Sequence, residues 1–215
     1  MSIPVLGAWE EDTFKQAVDA LRKGFVIAIP TDTVYGLVAV AGNDDATARL
    51  FTIKDRPQDV NVQVLTNDTD SAKRLVSSFP PVAAYIARRY WPGAVTMVLR
   101  RAPGIDWALG SDSSTIGIRC PDHELARRLC ETVGPLAATS ANRHGLPNAR
   151  DAMDLVEMFG DAALAPEFVV DGGEVSDLAS TVVDLTDGTL RILREGAVSA
   201  SSLDKAAAEA AAPES

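Results

Sequence analysis

V-I-A-I-P-T-D-T-V-Y-G-L, residues 26–37, decides how this chain is read. Val26, Ile27, Ala28 and Ile29 are an unbroken run of small apolar residues, the pattern of a strand covered on both faces. Pro30 has no N–H to give a ladder, so the strand, read over 25–30, stops there. Thr31, Asp32, Thr33 and Tyr35 then put two hydroxyls, a carboxylate and a phenol within five residues. Gly36 follows, where a backbone bends or comes close to a neighbour. A core strand that empties polar groups into a turn is how open α/β sheets present ligand sites.

The rest of the chain fits a sheet of that kind. Its 215 residues, 47% of them hydrophobic, suit one domain with a core that needs no disulfide or metal. Phe14, Ala17, Val18 and Leu21 fall on one face of a helix over 13–22. Further helices are read over 46–54, 71–76, 82–90, 124–133 and 149–159. The helix over 82–90 is started by Pro80-Pro81 and stopped at Trp91-Pro92-Gly93, and that over 124–133 is closed by Gly134. Strands are read over 62–65, 94–101, 115–119, 136–138, 168–170, 181–185 and 190–194. The last third holds three strands and few helices, so the expectation is a mixed α/β sheet, not a purely parallel one. The domain is read over 10–200. The alanine-rich tail, 201–215, is expected to be frayed or disordered.

Charge and cysteine content exclude several functions. A net charge of −10 argues against a general nucleic-acid binder, although a few cations in one pocket can still hold an anionic small molecule. Cys120 and Cys130 lack CxxC or zinc spacing and read as structural. His123 and His144 are too far apart to suggest a metal pair. No apolar run reaches membrane-span length, and no basic stretch precedes an apolar core at the N-terminus, so a cytoplasmic protein is expected. Walker A, GxGxxG and HExxH sequences are absent.

The remaining polar groups come in short clusters, each with a structural alternative. Lys54-Asp55-Arg56-Pro57 ends a helix, where cations and a following proline belong anyway. Ser140-Ala141-Asn142 follows a buried strand and is either a turn or a ligand contact. The stretch 143–148 after it looks like a ligand loop. Thr115, Gly117 and Arg119 share one strand face, with room for a ligand and a charge to meet it. Ser180-Thr181 and Arg194-Glu195-Gly196 border strands, and Asp171-Gly172-Gly173 suits a tight turn.

Taken in order, P-T-D-T-V-Y-G-L (30–37), K-D-R-P (54–57), W-P-G-A-V-T (91–96), T-I-G-I-R-C-P (115–121), S-A-N (140–142), D-G-G (171–173), S-T-V-V-D-L (180–185) and L-R-E-G (193–196) resemble the YrdC-like family. These are the L-threonylcarbamoyladenylate synthases, and the similarity runs from about Phe14 to Val198. The resemblance implies a twisted mixed α/β sheet flanked by helices around a concave, positively lined pocket. It implies a nucleotidyltransferase that makes threonylcarbamoyl-AMP and pyrophosphate from L-threonine, bicarbonate and ATP. The product would serve N6-threonylcarbamoyladenosine formation in tRNA. By motif position, Lys54, Arg56, Thr115, Ser140, Asn142, Asn148 and Arg194 are implied at the nucleotide, with Lys54, Arg56, Ser140 and Asn142 as the signature catalytic set. Thr33, Arg119, Ala138 and Ser180 are implied at L-threonine. Mg2+ is expected on the phosphates, and tRNA threonylcarbamoyl-transfer proteins as recipients of the product. Three positions depart from the family pattern. Val60 and Leu65 stand where many members carry basic, amide or histidine side chains, and Glu195 replaces a proline beside Arg194. Competing readings are an RNA-binding module of this fold and a paralogue with altered or lost activity. Asp32 and Tyr35 receive no role from the sequence.

Overall fold

The run at 26–29 enters the interior of a ten-stranded sheet. The structure is a computed structural model; it describes residues 3–55, 61–143, 145–160 and 164–212. Arg56, Val60 and His144 lie outside the described residues. In chain order the strands are β1 (Val5–Gly7), β2 (Ile27–Ile29), β3 (Gly36–Val40), β4 (Gln63–Leu65), β5 (Val95–Arg100), β6 (Thr115–Arg119), β7 (Leu136–Ser140), β8 (Val169–Asp171), β9 (Thr181–Asp184) and β10 (Arg191–Arg194). Across the sheet they run β1-β8-β2-β3-β7-β4-β6-β5-β9-β10, with parallel and antiparallel neighbours mixed.

Period-two alternation divides the sheet's side chains between two unequal covers. Ala28, Leu37, Ala39, Val64, Met97, Ile116, Ile118, Ala137 and Val183 enter one core. It is closed by α2 (Asp44–Lys54), α4 (Pro81–Tyr90), α6 (Ala152–Phe159) and α7 (Ala200–Ala211), with α3 (Thr69–Lys73) at its margin. On the other face, Ile27, Ile29, Val38, Leu65, Leu136, Ala138 and Val170 pack under α1 (Glu11–Arg22) and α5 (Glu124–Val133). That second cover ends near β4. Beyond it the residues alternate toward open space: Thr96 and Val98 on β5, Thr115 and Gly117 on β6, Val182 on β9. This uncovered half-face of the sheet forms a concavity.

Two strands escape the hydrophobic pattern, β1 and β3. Gly36, read as a bend or a close approach, opens β3, paired with Ile29 on one side and Ser140 on the other. Residues 30–35 are therefore a hairpin loop anchored in the sheet at both ends. Tyr35 gains a role as a latch. Its hydroxyl donates to Gly173 O at 2.8 Å and accepts the Gly172 N–H at 3.2 Å. Gly172 is needed there, because a Cβ would stand 2.6 Å from Pro30 Cγ.

The alanine-rich tail carries α7. Ser199 caps α7 through its hydroxyl, and Leu203 and Ala206 are buried against the core. Tyr85 Oη donates to Glu209 at 2.7 Å, tying α7 to α4. Alanine is the strongest helix former, and a two-residue apolar stripe suffices once a partner helix is present. Glu195 is also explained: its carboxylate accepts the Ala200 N–H at 3.0 Å, at the positive end of α7.

Arg101 organises the long β5–β6 connection. This buried guanidinium donates to the carbonyls of Trp107 at 2.9 Å and Thr115 at 3.1 Å, and reaches those of Ile105 and Asp112. Arg101→Met would strand these acceptors. We expect a loss of about 2 kcal/mol in urea unfolding and faster proteolysis within 102–114. Wild-type stability in that variant would show the loop to be held by other means.

Candidate active site

The uncovered half-face holds a cavity of about 310 Å³, and among the described residues no helix contributes to its wall. A second cavity, of about 440 Å³ around Thr66, Trp107 and Cys130, shares no residue with it. Of the residues implied at a ligand, Thr33, Thr115, Arg119, Ala138, Ser140, Asn148, Ser180 and Arg194 line the first cavity. Strands β6, β7 and β10 deliver five of them; Thr33 comes from the hairpin loop, and Ser180 and Asn148 from the segments before β9 and α6. Among the described residues Arg119 and Arg194 supply its charge, and none on the wall carries a carboxylate.

Arg119 is the most constrained of these groups. Its side chain is 3% exposed. Nε donates to Gly93 O at 3.0 Å, Nη1 to Thr33 Oγ1 at 2.7 Å, and Nη2 to Asp32 Oδ1. That fixes three of the five N–H groups a guanidinium has. The other two have no partner among the described residues, at a group that lines the cavity. Burial pushes the Arg119 pKa below its ordinary value, and Asp32 opposes that. Asp32 is thus the counter-ion of the arginine.

A polar chain forms the opposite wall. Thr96 Oγ1 donates to Gln63 Oε1 at 2.7 Å and lies 2.9 Å from Ser180 Oγ. Arg194 Nη2 donates to Ser180 O at 2.8 Å. Gly196 keeps this region closed up, since a Cβ there would sit 2.1 Å from Ala179 O. Gln63, Thr96 and Asn61 are wall residues that carried no signal as isolated side chains. Thr96 lies in the quoted W-P-G-A-V-T, and Gln63 is a lone polar residue on a strand, so both were available as alternation breaks. Leu65, by contrast, points into the second core.

Lys54 and Asn142 do not line the cavity; they sit behind Ser140. Lys54, 4% exposed, directs Nζ at Ser140 O (2.7 Å), Ser140 Oγ (2.9 Å) and Asn142 Oδ1 (2.6 Å). Ser140 Oγ donates to the same Asn142 oxygen at 2.7 Å, and Asn142 Nδ2 donates to Leu146 O. The lysine therefore stitches the end of α2 to the end of β7 and to the loop that carries Asn148.

Thr115 is held from below. Its hydroxyl donates to Asp112, which also accepts the Ser114 hydroxyl and N–H. These bonds, first those from Ser114 and Thr115, lower the Asp112 pKa from 3.8 to about 2. Ionised Asp112 thus stabilises the fold above about pH 4, and that contribution fades as pH falls through about 2. The carboxylate is exposed, so the effect is small. Asp112→Asn should flatten the fall in unfolding free energy between those pH values; an unchanged acid limb would refute the assignment. The cysteines offer no nucleophile: both are buried, and burial pushes Cys120 up to about 11.

Fold and site together define an α/β protein that offers arginines and hydroxyls to an anionic small molecule from an open sheet face. Residues 19–196 match the Sua5/YciO/YrdC family model, described as telomere recombination. The chain is 39% identical over 183 residues to a provisionally named threonylcarbamoyl-AMP synthase of Mycobacterium tuberculosis, covering 85% of this chain and 83% of that one. It is 33% identical over 202 residues to human threonylcarbamoyl-AMP synthase, covering 90% and 70%. It superposes on the crystal structure of Pyrococcus abyssi Sua5 complexed with L-threonine at a TM-score of 0.87 and 32% identity, covering 96% of this chain and 61% of that longer one. The chain belongs to the Sua5/YciO/YrdC family.

Proposed function

We propose that this chain is an L-threonylcarbamoyladenylate synthase. The observation that carries the reading is the pair of uncommitted Arg119 N–H groups in a cavity shared with Ser140, Asn148 and Arg194. A guanidinium with two free N–H groups matches a carboxylate. The relatives named for this synthase activity, and the Sua5 structure that holds L-threonine, support the choice of amino acid and of reaction.

The chemistry needs little from the protein beyond placement. The threonine amine attacks bicarbonate carbon, and water leaves, giving the carbamate. A carbamate oxygen then attacks the α-phosphorus of ATP, the bond to the β-phosphate oxygen breaks, and pyrophosphate departs. The nucleophile of the second step is already an anion, so no strong base is required. Arg119 and Thr33 hold the amino acid at one end, with Ser180 and Ala138 beside it. Thr115, Ser140, Asn148 and Arg194 meet the nucleotide, and Lys54 with Asn142 keep Ser140 in place. Juxtaposition and charge stabilisation supply the rate.

The described side chains do not fit a protein-held metal: among them no carboxylate lines the cavity, and no group of three His, Cys, Asp or Glu could hold a metal ion. Magnesium would arrive on the phosphates of ATP. The product would pass to a tRNA threonylcarbamoyl-transfer protein. Among the described residues no helix is long and apolar enough to cross a membrane, and we place the reaction in the cytoplasm. Incubation with ATP, bicarbonate and labelled L-threonine should yield pyrophosphate and threonylcarbamoyl-AMP in equal amounts. Folded protein that gives neither, while binding RNA in a salt-dependent manner, would overturn the enzyme reading in favour of an RNA-binding module.

A further inference from the structure

The proton positions around Thr33 follow from counting donors and acceptors. Thr31 Oγ1 lies 2.6 Å from Val34 O. A carbonyl has no proton to give, so the Thr31 hydroxyl spends its single proton there. At every other contact Thr31 can only accept. The N–H groups of Thr33 at 3.2 Å and Val34 at 3.3 Å, from consecutive residues, share one of its two lone pairs. Its 3.1 Å contact with Thr33 Oγ1 must then have Thr33 as donor. Thr33 Oγ1 in turn accepts from Arg119 Nη1 at 2.7 Å. Its proton and one lone pair are committed inward, and one lone pair remains for the cavity.

We propose that Thr31 is a positioning residue that makes Thr33 a pure hydrogen-bond acceptor, so that Thr33 meets the amine or hydroxyl of the amino acid while the carboxylate is left to Arg119. Ser180 repeats the device: Thr96 gives its proton to Gln63 Oε1 and accepts at Ser180, Arg194 Nη2 takes one Ser180 lone pair at 3.4 Å, and the other remains for the cavity. The subsite thus offers two donors at Arg119 and one acceptor at each of two hydroxyls. An amino acid with a carboxylate, an amine and a hydroxyl is matched group for group. An anion lacking donor groups finds two lone pairs facing it, which repels it. This inference rests on the function proposed above and names how its amino-acid site discriminates.

The test is calorimetric binding of L-threonine, 2-aminobutyrate and 3-hydroxybutyrate to wild-type protein, Thr31→Val, Thr31→Ser and Thr96→Val. Thr31→Val should weaken L-threonine by about tenfold, the worth of one hydrogen bond. It should leave ATP binding unchanged, and Thr31→Ser should restore the affinity. The valine variant should lose little against the analogue that lacks the group Thr33 accepts: 3-hydroxybutyrate if that is the amine, 2-aminobutyrate if it is the hydroxyl. Equal weakening of all three ligands, or wild-type affinity in a folded Thr31→Val, overturns the inference. Should that variant not fold, Thr96→Val reads the same device at Ser180, and an unchanged affinity there overturns it. Wild-type protein that binds no L-threonine would instead refute the functional reading itself.

Discussion

Arg119→Lys will raise the KM for L-threonine by about two orders of magnitude or more and leave the KM for ATP close to wild type. The arginine lines the cavity, two of its N–H groups make no bond among the described residues, and a carboxylate can take both. Each charge-assisted hydrogen bond is worth about 1.5–3 kcal/mol, and 1.4 kcal/mol is a factor of ten. Lysine is the informative replacement. Its ammonium keeps a charge beside Asp32, whereas alanine would leave that carboxylate without its counter-ion, and the resulting instability would blur the reading. The ammonium cannot bond Gly93 O, Thr33, Asp32 and a substrate together, since it has three donors where the guanidinium has five. Steady-state kinetics with each substrate varied in turn gives the two constants. A threonine KM unchanged in Arg119→Lys would show that the carboxylate is bound elsewhere.

The 26–37 segment shows how far the residues alone carry such a reading. The two-sided strand was legible because alternate residues of 26–29 serve two different cores, which requires an unbroken apolar run. The uncovered face was legible in outline from Thr115, Gly117 and Arg119, which alternate with core residues. Other features depend on partners distant in the chain. Strand β3 is a short apolar segment whose identity comes from pairing with β2 and β7. The roles of Asp32 and Tyr35 exist only once Arg119 and the 171–173 turn are placed beside them. The docking of α7 depends on a groove beside α4 that no local pattern encodes. Lys54 illustrates both sides. The pairing of K-x-R with S-x-N marked it by resemblance, yet its helix-end position had an adequate local explanation. Its three bonds to residues 86 and 88 positions away are a property of the fold.

Those bonds make Lys54→Met the most damaging single change we expect outside the cavity wall. Methionine matches lysine in length and packs well in a buried site, so volume is conserved. What disappears is the donor to Ser140 O, Ser140 Oγ and Asn142 Oδ1. The Ser140 hydroxyl can still donate to Asn142, but the Ser140 carbonyl loses its side-chain partner in a nearly closed site. The stability cost should be about 3 kcal/mol, which for a domain of this size lowers Tm by roughly 6–12 °C. The catalytic cost should exceed it. Ser140 lies on the cavity wall, and Asn142 holds Leu146 O two residues before Asn148, so one lost ammonium loosens two of the four groups placed at the nucleotide. A displacement of about 1 Å in such groups costs on the order of a hundredfold in rate. Assays run well below the lowered Tm should therefore show a fall of that size in kcat/KM for ATP, with L-threonine binding by calorimetry retained. Two results would count against this account. Unchanged stability would mean that the lysine is not structurally needed at Ser140, and unchanged ATP kinetics in the folded variant would separate Ser140 and Asn148 from the nucleotide.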